Sequence, residues 1–360
     1  MNRARTAASC FALAALCACS GPSSQSQVIG SESAAERGPA HAARRDTTSG
    51  PTVYIIGNTI AAYDTATLRL LRTYEGVYIP GGAAQDAAGD LYVSDFQNND
   101  VVEFQAGQTR IVQNFAQGMS QPTALAFDSF GNLYVANAGP VSNGGNSVTV
   151  YNSSGALIRA ITNGIQHPTQ LAFDSQGNLY VSNLGGPTTI YANGQTTLTG
   201  SISQVTGSTA ILLDSSDDVY VANCNFRCAH GLVYEFGPQG KPLLRKISTG
   251  IRNPYDLALD AYGNLFVANA NVNGNERCYV SAYVPGATSP FEMISDGVRD
   301  ARAVGFDSSG NLYVANYRSV CEGNRPSGNG SVTIYPPGST QYAHKLTRGV
   351  VRPQSLLFGI

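Results

Sequence analysis

Charge is scarce in this 360-residue chain. Asp, Glu, Lys and Arg make up 13% of it, with 22 basic against 24 acidic residues and a formal net charge of −2. No basic stripe is available to displace counterions from a polynucleotide, which argues against nucleic acid as a partner. Tryptophan is absent, methionine occurs three times and histidine four times. No G-x-S-x-G elbow, H-E-x-x-H pair or Walker sequence occurs, so the local signatures of acyl transfer, zinc hydrolysis and nucleotide binding are missing. The apolar stretch from Ala7 to Ala18 is too short to span a bilayer. What the chain has instead is glycine (39), tyrosine (19) and abundant Asn and Ser. That composition suits many short strands joined by tight turns, in two ordinary domains or one large repeat domain.

The first fifty residues read differently from the rest. "MNRARTAASCFALAALCACSG" places Arg3 and Arg5 before the apolar stretch and small residues after it, the layout of a secretory signal. We read residues 1–18 as a signal peptide and 19–50 as a flexible tether. The tether is rich in Ser, Ala, Gly and Pro, too poor in apolar surface to offset its ordering entropy. "LCAC", ending at Cys19, resembles the lipobox of bacterial lipoproteins, which implies a lipid on Cys19 and an envelope location, membrane-anchored and periplasmic or surface-facing. Ordinary cleavage after Ala18 would leave a soluble exported protein.

The remainder repeats. "FDSFGNLYVANA" from Phe127 returns as "FDSQGNLYVSNL" from Phe173, "LDAYGNLFVANA" from Leu259 and "FDSSGNLYVANY" from Phe306. The marker Asp falls at 86, 128, 174, 214, 260 and 307, a period in the forties that fits β-propeller blades. One period runs strand ("PTALAFD"), turn ("DSFGN"), strand ("LYVAN"), loop, strand ("SVTVY") and strand ("ALIRAI"). Before the Asp, large residues flank a small one, as in Leu125-Ala126-Phe127, so one face of the strand is bulky and the other slight. The Asp is a turn former and Gly131 supplies the positive φ of a bulged hairpin. A group repeated six times is architecture, not a catalytic acid. Residues 52–74 read as three strands of a blade that lacks its first, and "RPQSLLFGI" at 352–360 as a first strand without followers. Joined, they give a seventh blade. The expectation is an all-β, seven-bladed propeller over residues 51–360, with four-stranded antiparallel blades and the first blade closed by the C-terminal strand.

"GNLYVAN" after "FDS" resembles the NHL and YVTN-type repeat propellers, over roughly residues 52–360. Asn137, Asn183, Asn223, Asn269 and Asn316 stand where NHL repeats more often carry Asp, and only Asp95 keeps the acid. The lack of Trp argues against a WD40 propeller. The resemblance implies the fold and leaves function open, since such propellers serve as binding platforms and as enzymes.

First-strand starts diverge where the strand interiors agree. They open with the second-to-third-strand loops on one face, which makes His167, Gln170, Tyr255, Asp256, Asp300, Arg302, Arg352 and Gln354 candidate ligand-binding residues at the channel mouth. The alternative is that they are loop side chains solvated at a channel rim. No catalytic residue, metal ligand set or cofactor is assigned. "NANVNGNE" from Asn269 imitates the start of a calcium loop but offers neutral Asn ligands and Val280 where a bidentate Glu is wanted. "CNFRCAH" from Cys224 offers zinc two thiolates and His230 without an apparent fourth ligand. In an exported protein, Cys224, Cys228, Cys278 and Cys321 read as two disulfides with three possible connectivities. We favour Cys224–Cys228 and Cys278–Cys321. The functional expectation is an exported, lipid-anchored monomer that binds a protein, peptide or glycan through its loop-rich face. The alternative is a propeller enzyme with a metal at the channel mouth, similar to streptogramin lyases, with His167 as the rim histidine, or to gluconolactonase-like lactonases.

Overall fold

The computed structural model describes residues 51–140, 142, 144–224, 231–270, 278–318 and 328–359. They form seven four-stranded antiparallel sheets, with a 3-10 turn at Pro238–Gly240 and no α-helix among the described residues. Blade 1 orders its strands as Ser355–Phe358, Thr52–Ile56, Ile60–Asp64 and Leu70–Tyr74. Val53 pairs with Phe358 and Ile56 with Ser355. The C-terminal strand therefore closes the blade begun by the first described residues. Blades 2 to 7 follow in sequence order, with first strands Pro80–Gln85, Pro122–Phe127, Pro168–Phe173, Ser208–Leu213, Pro254–Leu259 and Ala301–Phe306.

The core is seven cores, one in each gap between neighbouring blades. Leu125 packs towards blade 2 with Tyr92 and Val101, whereas Ala126 packs towards blade 4 with Leu171 and Val181. This is the large–small alternation of the sequence in use: a bulky face meets a slight one and the gap fills at native density. Between blades 7 and 1, Tyr313, Ala315 and Val332 pack on Val53, Ile55 and Leu356. A second-strand aromatic also meets the next blade's first-strand Phe edge-on. The pairs are Tyr92–Phe127, Tyr134–Phe173, Phe266–Phe306 and Tyr313–Phe358, with ring centroids 5.0, 5.0, 4.9 and 5.3 Å apart. The last of these spans the closure, so the ring closes on the same contact that builds it.

The repeated Asp is a turn former in every blade that carries it. Asp128 Oδ1 accepts the amides of Phe130 (2.9 Å) and Asn132 (2.8 Å), and Oδ2 accepts Asn132 Nδ2 (2.8 Å). Asp174, Asp260 and Asp307 repeat the set. Gly131 takes φ +78°, and Asp217 fills the same role in blade 5 at φ +62°.

Candidate functional site

The face on which first strands begin is also the face on which second strands end, because Pro122 pairs with Asn137 and the other blades keep this register. The Asn that ends "LYVAN" is buried and works as a latch. Its Oδ1 accepts a backbone amide from the connection entering the blade: Ser120 (3.2 Å), Gln166 (2.8 Å), Arg252 (3.0 Å) and Arg299 (2.6 Å) in blades 3, 4, 6 and 7. Its Nδ2 donates to a third-strand hydroxyl, on Thr149 (3.0 Å), Thr189 (3.2 Å), Ser281 (3.0 Å) or Thr333 (3.0 Å). Two residues on, a tyrosine hydroxyl (Tyr151, Tyr191, Tyr283, Tyr335) donates to a carbonyl of the same connection, at Gln117, Asn163, Thr249 and Asp296. Burial raises the pKa of Tyr283 and Tyr335 to about 12, so these phenols stay donors.

An amide suits this position because it must accept and donate at once. Blade 2 shows the converse. Where blades 3, 4, 6 and 7 carry a hydroxyl, it has Val102, and its latch is Asp95, which needs no acceptor. Asp95 takes the amides of Tyr78 (2.6 Å), Ile79 (3.3 Å), Gln97 (3.0 Å) and Asn98 (3.1 Å), and the Asn98 side chain (3.0 Å). In blades 2, 3, 4, 6 and 7 the choice between Asn and Asp thus follows the third strand, whereas Asn223 of blade 5 donates to Thr206 O instead.

Inside this latched rim the ring has two arcs. In blades 3, 4 and 5 the second residue of the first strand is Thr. Thr123 donates to Pro168 O (2.9 Å), Thr169 to Ser208 O (3.1 Å) and Thr209 to Pro254 O (2.8 Å). Each hydroxyl seals its blade to the next. In blades 6 and 7 that position is Tyr255 and Arg302, Gln354 stands just before the closing strand of blade 1, and a cationic cluster takes over. The Arg302 guanidinium carbon lies 4.0 Å from the Tyr255 ring centroid and 4.9 Å from that of Tyr317. Arg302 Nε and Arg318 Nε lie 3.4 and 3.1 Å from the carboxylate of Asp300, which is 1% exposed as a side chain. Arg352 approaches the Tyr317 ring at 5.9 Å. Burial alone would weaken proton binding by Arg302; Tyr255, Asp300 and Tyr317 outweigh it and hold the guanidinium charged.

The eight sequence candidates therefore divide. Tyr255, Asp300, Arg302 and Arg352 come together across blades 6, 7 and 1. Gln170 and Asp256 lie inside the ring wall. Gln170 Oε1 accepts the amide of Ile211 (2.7 Å) and Asp256 Oδ2 that of Val304 (3.0 Å), each in the following blade. Asp256 also takes a hydrogen bond from Gln170, yet burial pushes its carboxyl well above the usual carboxylate range. His167 stands apart on the threonine arc, exposed at φ +49°, with its amide held by Asn146 Oδ1 (2.8 Å) and Nδ1 3.0 Å from Ala138 O. Gln354 is buried beside the closing strand, its amide on Ile56 O (2.8 Å). Among the described residues, no three His, Cys, Asp or Glu side chains converge as a metal site.

Tyr317 and Arg318 escaped the sequence reading. They follow "LYVAN" directly, where the other blades have Phe96, Ala138, Leu184, Cys224 or Ala270, and that irregularity was the available signal. Neither Cys224 nor Cys278 is a free thiol. Cys228, Cys321, His230 and most of "NANVNGNE" lie outside the described residues, as do residues 1–50, which hold the expected signal, Cys19 and the expected tether. No family model matches the chain, and no curated protein matches it either.

Proposed function

We propose that this chain is an exported, lipid-anchored propeller of NHL type that works as a binding module through the face carrying the second-to-third-strand loops. The observation that carries the reading is the polar arc of blades 6, 7 and 1. The Asn latches of blades 3, 4, 6 and 7 and the packing between blades occur in both arcs, but here the sealing threonines give way to Tyr255, Arg302 and Gln354. A rigid scaffold that varies at one rim is the usual way a fold carries a site. The expected partner is an envelope protein, peptide or glycan. Disulfides Cys224–Cys228 and Cys278–Cys321 would tie the loops of this face, and non-reducing peptide mapping reads them directly.

The full-length protein should be screened on glycan and peptide arrays beside two variants. One carries Arg352→Gln with Arg318→Gln on the loop face; the other carries Phe130→Ser with Tyr262→Ser at exposed turns of the opposite face. Binding lost only in the first supports the reading. Binding lost only in the second, or no binding together with turnover of a small molecule, overturns it. The anchor has its own test: Cys19→Ser should move the protein from membranes to the soluble fraction, and unchanged retention would sink it.

A further inference from the structure

We propose that the cationic arc is a receptor for the carboxylate of a small organic acid whose body lies on the Tyr317 ring. The inference deepens the binding-module reading and rests on it.

Charge balance is the first argument. Arg302, Arg318 and Arg352 gather around Tyr317 and Asp300, and Asp300 is the one carboxylate paired with any of them among the described residues. Arg302 is 8% exposed and Arg318 23% exposed as a side chain, so solvent screens them incompletely. Among the described residues two partly buried positive charges are thus in excess, which is costly unless an anion supplies the balance.

Donor geometry is the second. A guanidinium carries five N–H donors in a planar fork that fits a carboxylate edge-on. Arg302 donates to Asp300 through Nη2 (3.4 Å), while the Nε atoms of Arg302 and Arg318 lie within ion-pair distance of it but make no hydrogen bond. The other nitrogens of these two forks, and the whole fork of Arg352, have no carboxylate partner among the described residues. Asp300 already shows that this place accepts a carboxylate between two guanidiniums. Its position is locked: it takes φ +55°, its amide is 3.2 Å from Cys278 Sγ, and its carbonyl accepts the Tyr317 amide (3.1 Å).

The third argument concerns the ligand's body. Tyr255 is buried and covers one side of Arg302, while Tyr317 is only half-buried and lies beside both Arg302 and Arg352. A flat or apolar body can cover the Tyr317 ring while its carboxylate engages the forks. Thr123, Thr169 and Thr209, at the equivalent positions of the other arc, offer neither charge nor ring, because their hydroxyls are spent on backbone carbonyls.

The test is calorimetric titration of the full-length protein with sodium benzoate, acetate and inorganic phosphate, at constant ionic strength held with chloride. Benzyl alcohol serves as the uncharged control. Benzoate should bind saturably at one site, acetate at least about tenfold more weakly, and benzyl alcohol not at all. Arg352→Gln and Arg318→Gln, both at partly exposed positions, should each weaken benzoate about tenfold or more while the protein keeps a cooperative melt. Tyr317→Leu should weaken benzoate and leave acetate alone; equal losses would overturn the role given to the ring. No saturable benzoate binding, binding indifferent to both arginine variants, or tighter binding of phosphate would each overturn the carboxylate assignment. If benzoate fails while the array signal still depends on the loop face, this inference falls and the binding-module reading stands. If both fail, the reading falls with it.

Discussion

The threonine arc of blades 3 to 5 and the cationic arc of blades 6, 7 and 1 share one fold and differ in what holds it shut. In the first, a short hydroxyl reaches the next blade's carbonyl at 2.8 to 3.1 Å. In the second, stacked guanidinium and phenol groups occupy the same strand position. Both arcs keep the Asn latch and the packing between blades, as in blades 4 and 7. Stability thus sits mainly in elements repeated around the ring, and one arc is released for other use. Blade 2, where the arcs meet, has Gly81 and Gly82 at the variable positions. A Cβ on Gly82 would come within 2.8 Å of Thr123 O, so backbone rather than side chain fills that seam.

The largest expected effect comes from removing the seam that lets both arcs belong to one ring. Deleting residues 352–360 strips Leu356 and Phe358 from the core between blades 7 and 1 and leaves Thr52–Ile56 unpaired on that side. Each such side chain is worth roughly 1.5–3 kcal/mol against a typical domain stability of about 5–15. The truncated protein should lose its cooperative melt, whereas deletion of residues 20–48 should leave the melting temperature unchanged. Similar melts for both would refute closure by the C-terminal strand.

Next in size is the latch. Asn183→Ala in the threonine arc and Asn316→Ala in the cationic arc each leave buried donors and acceptors unmet, at about 1–3 kcal/mol apiece. Urea unfolding should show comparable losses in both. A loss confined to one arc would mean the latches are not equivalent, and the division drawn here would have to extend to the rim.

The smallest effect is a pH slope inside the cationic arc. Because the Asp256 carboxyl is raised by burial, the folded state holds that proton more tightly than the unfolded chain does. Its contribution is fully present below the unfolded carboxylate pKa and is lost as pH rises through the raised folded value. Asp256→Asn should therefore lie closest to, or above, the wild-type melting temperature near neutral pH and fall behind it under acid conditions. A difference that stays constant with pH would show that Asp256 is not perturbed.

Much of this was legible in the chain. The Asp-Gly turns, the Leu-Ala-Phe alternation and the split blade are local signals, because a turn or a strand face is decided within a few residues. The Asn latch was legible in principle, since Thr or Ser recurs two residues before the third-strand Tyr in blades 3, 4, 6 and 7, and Val102 stands there beside Asp95. It went unread because its partners lie across strands. The candidate site was half legible. Tyr255, Asp300, Arg302 and Arg352 could be named from their divergence, but Gln170 and Asp256, chosen on the same ground, turn inward to bond Ile211 and Val304.

By itself, then, the sequence determined the repeat, the count of seven and the use of the C-terminal strand as closure. Periodicity and turn chemistry are short-range properties, and a ring of identical gaps needs no further instruction. Only the tertiary structure decided that Arg302 and Arg352, from two blades, meet at the Tyr317 ring and that Arg302 and Arg318 share Asp300. That meeting depends on which way each side chain leaves a bulged strand start and on the seam that brings residue 352 beside residue 317. Charge excess is a property of the gathered group, and no single repeat contains it.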